Sequence, residues 1–313
     1  MKQFLNFLLK SRPQPGNGQV WLVGAGPGDP GLLTMKAHEI IRQADIVVHD
    51  RLVSDDIMRL VPARCQRVYV GKAAGQHAMR QDEINRLLVL LGQQGKRVAR
   101  LKGGDPFTFG RGGEEMQALR NAGIPVTIIP GITAAAGCAA QAGIPLTDRH
   151  FADSVCYVTA TRREDAPATN WRALANDPAR TLVFYMGLAA AGTISEQLIH
   201  HGLPKDTPAV LIENGTTRMQ REVHCSLATL RETAVTQKLR SPCLIIVGAV
   251  TTLAHKKVEL AAAHSADGLM LDGRDLPQVN LSQVRGKNHE TRHLDSPGDC
   301  QRPTVMDTVR QRR

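Results

Sequence analysis

In residues 101–115, LKGGDPFTFGRGGEE, five glycines and a proline surround Lys102, Asp105, Arg111, Glu114 and Glu115. Glycine leaves the backbone bare, so a ligand can reach main-chain amides and carbonyls there. A neighbouring acid can accept from an ammonium or a hydroxyl, and an arginine can pair a carboxylate through two parallel hydrogen bonds. Two glycine pairs bracketing Asp105, Phe107, Phe109 and Arg111 exceed what a tight turn requires. The chemistry on offer is the close binding of a small polar molecule. Four further stretches have the same character: 24–31 (GAGPGDPG), Asp50-Arg51, Gly71-Lys72 and 130–134 (PGITA).

Such loops need a frame that brings them together. Strands are predicted at 19–24, 45–49 and 67–70, in the run into Lys102 and at 126–129; helices are predicted at 32–43, up to Leu60, at 82–91 and from Glu114. This alternation predicts a parallel sheet with right-handed crossovers, in which ligands bind at the carboxyl ends of the strands. The five loops then share one edge. Beyond Pro145 the apolar runs 155–159, 181–186, 209–212 and 243–247 predict a second, mixed sheet. The expected organisation is α/β throughout: an extension or linker over 1–18, an N-terminal α/β domain over 19–133, a C-terminal α/β domain over 134–255, and a disordered tail over 256–313, where periodicity gives way to mixed charge.

Composition narrows the function. The 313 residues are 42% hydrophobic, and Lys+Arg 39 against Asp+Glu 29 give a formal charge of +10, which suits a polyanionic ligand. An aromatic content of 4%, with no basic run or nucleic-acid motif, argues against a nucleic-acid partner. No apolar run reaches the roughly 18 residues of a membrane span, and the N-terminal MKQFLNFLLK lacks a small-residue cleavage site. Six scattered cysteines without a CxxC pair or zinc spacing predict no metal site, and free thiols in a reducing, cytoplasmic compartment. Gly26, Gly28 and Gly31 match GxGxxG, with Asp50 spaced as a ribose-binding acid, so a nicotinamide enzyme is the alternative reading. Pro27 and Pro30 oppose it by removing amides from the loop that should cradle a pyrophosphate.

VGAGPGDPGLLT, DRLVS, VGK, LKGGDPFTFGRGGEE, PGITAAAG, GIPLTDR, VFYMG and ENGT, in this order from about Val20 to Val250, resemble the uroporphyrinogen-III C-methyltransferases of the tetrapyrrole methylase superfamily. The resemblance implies two α/β domains with S-adenosylmethionine in the cleft between them, usually as a homodimer. It implies methylation of uroporphyrinogen III at C2 and C7 to precorrin-2, on the route to sirohaem, cobalamin or haem d1, with S-adenosylhomocysteine as the other product. The eight carboxylates of that substrate would account for a basic cleft. Siroheme synthases carry a dehydrogenase and ferrochelatase module ahead of this domain; about 18 residues precede it here, so those two activities are expected to be absent.

Carried over residue by residue, the resemblance implies cofactor contacts at Pro27, Gly103, Gly104, Asp105, Thr108, Thr133, Ala134, Met186 and Gly215. Thr108 stands where the family more often has an apolar residue. Asp50 falls at the proposed base and Lys72 at the proposed proton donor; read alone, Asp50 is a helix or turn cap and Lys72 a solvated loop lysine. Arg51, Arg111 and Arg149, in motif loops at the expected cleft edge, are candidates for pairing the substrate's carboxylates, with Arg111 the strongest. Glu114 joins them as a substrate contact and as the next base to consider.

Overall fold

The computed structural model describes residues 18–71, 79–161 and 168–254, and these described residues cluster as one compact unit. Lys72, the expected extension and the expected tail lie outside the described residues, apart from Gly18 at the end of the first.

Strands β1 (Gln19–Gly24), β2 (Ile46–His49), β3 (Gln66–Tyr69), β4 (Arg97–Lys102) and β5 (Val126–Ile129) form an all-parallel sheet in the order β3-β2-β4-β1-β5. Parallel neighbours need crossovers, and here helices α1 (Met35–Gln43), α2 (Asp55–Arg59), α3 (Gln81–Gln93) and α4 (Gly112–Asn121) lie in the connections. Side chains alternate across each strand. Trp21, Val23, Val47, Ala99 and Leu101 bury with Ala37, Ile41 and Ile57, on the α1–α2 side. Val20, Leu22, Val48 and Val98 bury with Leu87, Leu88, Leu91 and Leu119, on the α3–α4 side. Each fully buried leucine, such as Leu88, contributes about 1.5–3 kcal/mol. The same alternation turns Arg100 and Lys102 toward α3 and α4.

Local chemistry moves two helix starts. The helix expected from residue 32 begins at Met35: Asp29 accepts from Gly31 N (2.8 Å) and closes a 3-10 turn, Pro30–Leu32, and Thr34 then caps α1 by accepting from Ala37 N (3.1 Å). The helix expected from Glu114 begins at Gly112, because Arg111 takes the cap position in the left-handed conformation (φ 57°).

The second sheet holds β6 (Ser154–Thr159), β7 (Arg180–Tyr185), β8 (Pro208–Glu213), β9 (Arg221–Ser226) and β10 (Cys243–Val247), in the order β6-β7-β10-β8-β9. It is mixed: β6 and β7 are parallel and the other pairs antiparallel. β9 is not among the expected strands, since REVHCS is an edge strand paired only with β8 and never becomes an apolar run. Helix α5 (Ala134–Gln141) follows β5 in the chain, yet its Ala135, Cys138 and Ala139 pack with Val183, Val210, Ile212 and Ile246 of the second sheet. Helices α6 (Trp171–Ala175), α7 (Ala191–His200) and α8 (Leu230–Thr236) join the opposite face through Ala175, Ile194, Leu198 and Leu230. Among the described residues no helix is long and apolar enough to cross a membrane.

Candidate active site

Three strand ends meet backbone to backbone. A Cβ on Gly131 would lie 2.3 Å from Gly104 O, and one on Gly24 2.5 Å from Gly131 N. Gly104 N donates to Gly26 O (2.7 Å) and Gly26 N to Gly104 O (3.1 Å), which ties the loop after β1 to the loop after β4. Asp105 organises its own loop by accepting from Phe107 N (2.9 Å), Gly131 N (3.2 Å) and Thr108 Oγ1 (3.3 Å). Much of the acceptor capacity that the sequence offered to a ligand is therefore already used at Asp105.

The other expected cofactor residues gather around α5. Gly104 has φ 70°, and a Cβ there would face Ala134 N at 3.6 Å and Thr133 Cα at 3.8 Å. Thr133 Oγ1 lies 2.6 Å from Tyr185 Oη, which accepts from Ala135 N (2.9 Å), and Met186 follows in the chain. A Cβ on Gly137 would be 2.5 Å from the Pro27 ring, and one on Gly215 would be 2.2 Å from Cys138 Sγ. Asp29 N donates to Thr216 Oγ1 (3.2 Å), joining the first loop to the loop after β8. Gly103 borders Asp50's loop, since its Cβ would strike Leu52 Cβ at 2.7 Å.

Backbone strain concentrates in the same loops. Among the described residues, five of the six non-glycine positions with positive φ are Phe109, Arg111, Met186, Asn214 and Thr216. Such conformations cost about 1–3 kcal/mol each and cluster at functional sites. Leu52, Phe107, Phe109 and Met186 are exposed, an apolar surface suited to a ligand. Phe109 packs on Tyr185 (centroids 4.9 Å apart) and Tyr185 on Tyr157 (5.9 Å), so aromatic contacts run from the β4 loop to the second sheet.

Next to this surface lies a charge network. Asp50 Oδ1 accepts from Leu52 N (3.0 Å), as the turn-cap reading predicts, and Oδ2 accepts from Arg100 Nη2 (3.0 Å). Arg100 Nε donates to Glu115 Oε1 (3.1 Å), which also accepts from Lys102 Nζ (3.0 Å) and Gln81 Nε2 (3.3 Å). Glu115 Oε2 is 3.0 Å from Lys102 Nζ as an ion pair yet takes no hydrogen bond. Asp50 is the accessible member, its side chain 27% exposed, while Arg100, Lys102 and Glu115 are buried. Burial, with Arg100 close by, pushes the Lys102 ammonium below its ordinary range despite Glu115. Burial likewise lowers His49, which packs edge-on against Tyr69 (5.4 Å). Desolvating Arg100, Lys102 and Glu115 makes such a network a poor source of stability, and its place at the ligand edge points to function.

The expected substrate residues are distributed unevenly. Arg111, the strongest of the candidates, is already paired: its Nε and Nη2 form a fork on Glu114 (2.8 and 2.7 Å), which raises the guanidinium's pKa further. Both side chains are about half exposed, so the pair is worth about 0.2–1 kcal/mol and can be exchanged for a ligand's carboxylate. Arg51 is exposed and reaches Ser241 O (3.5 Å) across to the second sheet. Arg149 is exposed on the turn closed by the Asp148–Ala152 bridge. The nicotinamide alternative loses its frame, because the GxGxxG glycines lead into a 3-10 turn and α1 starts only at Met35. Sequence reading missed Arg100, Tyr185 and Thr216 as site-forming residues, and gave Glu115 no role beyond its place in the glycine-rich stretch. The available signal was the pair of cations Arg100 and Lys102 at i and i+2, on the same strand face as the buried Val98.

Two surface hollows lie elsewhere, one of about 350 Å³ lined by His38, Arg42 and Arg64, the other of about 430 Å³ between α7 and α8. Neither is lined by strand-end loops of the first sheet.

A family model described as tetrapyrrole (corrin/porphyrin) methylases matches residues 19–231. The chain is 56% identical over 248 residues to a siroheme synthase of Salmonella typhimurium, which covers 79% of this chain and 53% of that protein. It is 53% identical to siroheme synthase 2 of Yersinia enterocolitica, covering 79% of this chain and 52% of that protein. The chain thus spans about half the length of the curated relatives it matches. Among solved structures it is similar to a uroporphyrin III C-methyl transferase from Thermus thermophilus, in its native form and complexed with S-adenyl homocysteine. Each is 38% identical with a TM-score of 0.65, and the match covers 75% of this chain and 100% of that one.

Proposed function

The chain belongs to the tetrapyrrole (corrin/porphyrin) methylases, and we propose that it transfers methyl groups from S-adenosylmethionine to C2 and C7 of uroporphyrinogen III, giving precorrin-2 and S-adenosylhomocysteine. The observation that carries this reading is the convergence of the bare Gly103-Gly104 backbone, the amino end of α5 and the Asp50 network on one sheet edge. The similar Thermus thermophilus enzyme is complexed with S-adenyl homocysteine, which supports the choice of cofactor.

The residues fit that cofactor. At Gly104 the direction of a missing side chain faces Thr133 and Ala134 with no atom closer than 3.6 Å. Pro27, Gly103, Gly104, Asp105, Thr108, Thr133, Ala134, Met186 and Gly215 would hold it, Asp105 and Thr108 mainly by shaping the loop. When bound, S-adenosylmethionine supplies a methyl group already activated on a sulfonium. The chain's task is then positioning and proton transfer. Leu52, Phe109 and Met186 offer apolar contact and keep water away. Asp50 anchors a pyrrole N–H and accepts the proton that must leave the macrocycle after the new carbon–carbon bond forms. Lys72 is the proposed proton donor. Arg51, Arg111, Glu114 and Arg149 meet the substrate's polar periphery, the arginines through its carboxylates.

The direct test is to incubate the purified protein with S-adenosylmethionine and uroporphyrinogen III and count added methyl groups by mass. Products with one and then two methyl groups are expected; unchanged substrate would refute the reading. Arg111→Leu should raise KM for uroporphyrinogen about tenfold, the equivalent of roughly 1.4 kcal/mol, and leave S-adenosylmethionine affinity in place. Equal loss of both would mean that the loop had collapsed. The chain is further proposed to act as a homodimer, as the resemblance implies, and in the cytoplasm. Cys65, Cys138, Cys156, Cys225 and Cys243 are free thiols, which suits a reducing compartment.

A further inference from the structure

Given the reading of Asp50 as base, on which this inference rests, we propose that Glu115 is a positioning residue that fixes the orientation of the Asp50 carboxylate through Arg100. Glu115 lies in the first turn of α4 with its side chain fully buried, and its carboxylate meets Arg100, Lys102 and Gln81 rather than the glycine loops. Its Oε1 holds Arg100 Nε at 3.1 Å, while Arg100 Nη1 donates to Leu101 O (2.8 Å) and Nη2 to Asp50 Oδ2 (3.0 Å). With all three guanidinium nitrogens pinned, the planar fork has no freedom to turn, and the carboxylate it meets is held in one orientation. β2 and β4 are hydrogen-bonded neighbours with His49 opposite Leu101, so the sheet itself sets the separation that Arg100 bridges.

Lys102 makes the arrangement possible. Arg100 and Lys102 balance Asp50 and Glu115, so the buried acid adds no unpaired charge. An apolar replacement of a buried ion pair is often neutral or stabilising, and stability alone therefore gives no reason for these residues. Orienting an accessible acid at the ligand edge does.

The test uses the full chain and the double substitution Glu115→Leu/Lys102→Met, which removes one negative and one positive charge together and avoids stranding a buried ion. The variant should melt cooperatively and keep the wild-type affinity for S-adenosylmethionine by calorimetry. Its kcat should fall by up to ~10²-fold, the cost of misplacing a reacting group by about 1 Å. In an Asp50→Asn background the same pair should cost less than about threefold more, because residues acting through one group are not additive. If Asp50→Asn is impaired but the double substitution keeps full turnover, or repeats its whole loss on top of Asp50→Asn, the positioning role is overturned and the base reading survives. If Asp50→Asn itself turns over normally, the base reading fails and this inference with it. Loss of S-adenosylmethionine binding in the double variant would also overturn the inference, by showing a general structural role.

Discussion

Asp50→Asn is expected to reduce methyl-transfer turnover by ~10²–10⁴-fold, the range typical of general-base loss, while S-adenosylmethionine affinity stays unchanged. Asp50 directly follows β2, and its two oxygens accept from Leu52 N and Arg100 Nη2 at 3.0 Å each. An ionised carboxylate offers about four acceptor positions, so those that remain can meet a pyrrole N–H and take a proton. Its partial exposure keeps them reachable. Asparagine preserves the shape but has a single acceptor oxygen, so either Leu52 N or Arg100 must face its amide. That mismatch costs about 1–3 kcal/mol and lowers the melting temperature modestly without unfolding the chain. Single-turnover kinetics with saturating S-adenosylmethionine separate the chemical step from binding. A wild-type rate there would sink the assignment and move the search to Glu114, whose carboxylate would first have to leave its fork with Arg111.

Gly104→Leu is expected to weaken S-adenosylmethionine binding by about a hundredfold or more, roughly 2.7 kcal/mol or greater. A Cβ at Gly104 meets only ordinary contacts, at 3.6 Å and beyond, so it is the isopropyl group beyond it that intrudes, in the direction of Thr133 and Ala134. The substitution also places a branched residue at φ 70°, a left-handed conformation that costs about 1–2 kcal/mol. That is small against the 5–15 kcal/mol of a typical domain, so the protein should stay folded with a melting temperature lower by a few degrees. The contrast lies with Gly131, where a Cβ would strike Gly104 O at 2.3 Å, and any side chain there should harm folding and binding together. Calorimetry on Gly104→Leu that returned wild-type affinity would place the cofactor away from this loop.

The parallel character of the first sheet, the order of its elements and the gathering of the glycine loops at one edge were legible in the sequence. Those features follow from local rules: apolar runs of strand length, caps and glycines at their ends, and the handedness of crossovers. The motifs carried the family for a similar reason, because each occupies a short contiguous stretch. Helix starts at Met35 and Gly112 moved only because Asp29, Thr34 and Arg111 settled the local turns. The edge strand Arg221–Ser226 escaped because its exposed face needs no apolar residues. The partners of each charge were beyond the sequence. Asp50 and Arg100 are fifty positions apart, and whether Arg100 meets water, a ligand or Asp50 depends on β2 pairing with β4 and on which face α4 covers. Asp105 likewise reads as a ligand acid in the sequence, and only the approach of Gly131 N in the folded chain turns it into the keeper of its own loop. Sequence spacing determines which side of a strand a residue takes; tertiary packing decides what waits there, because pairing and desolvation act between groups that the chain brings together only when folded.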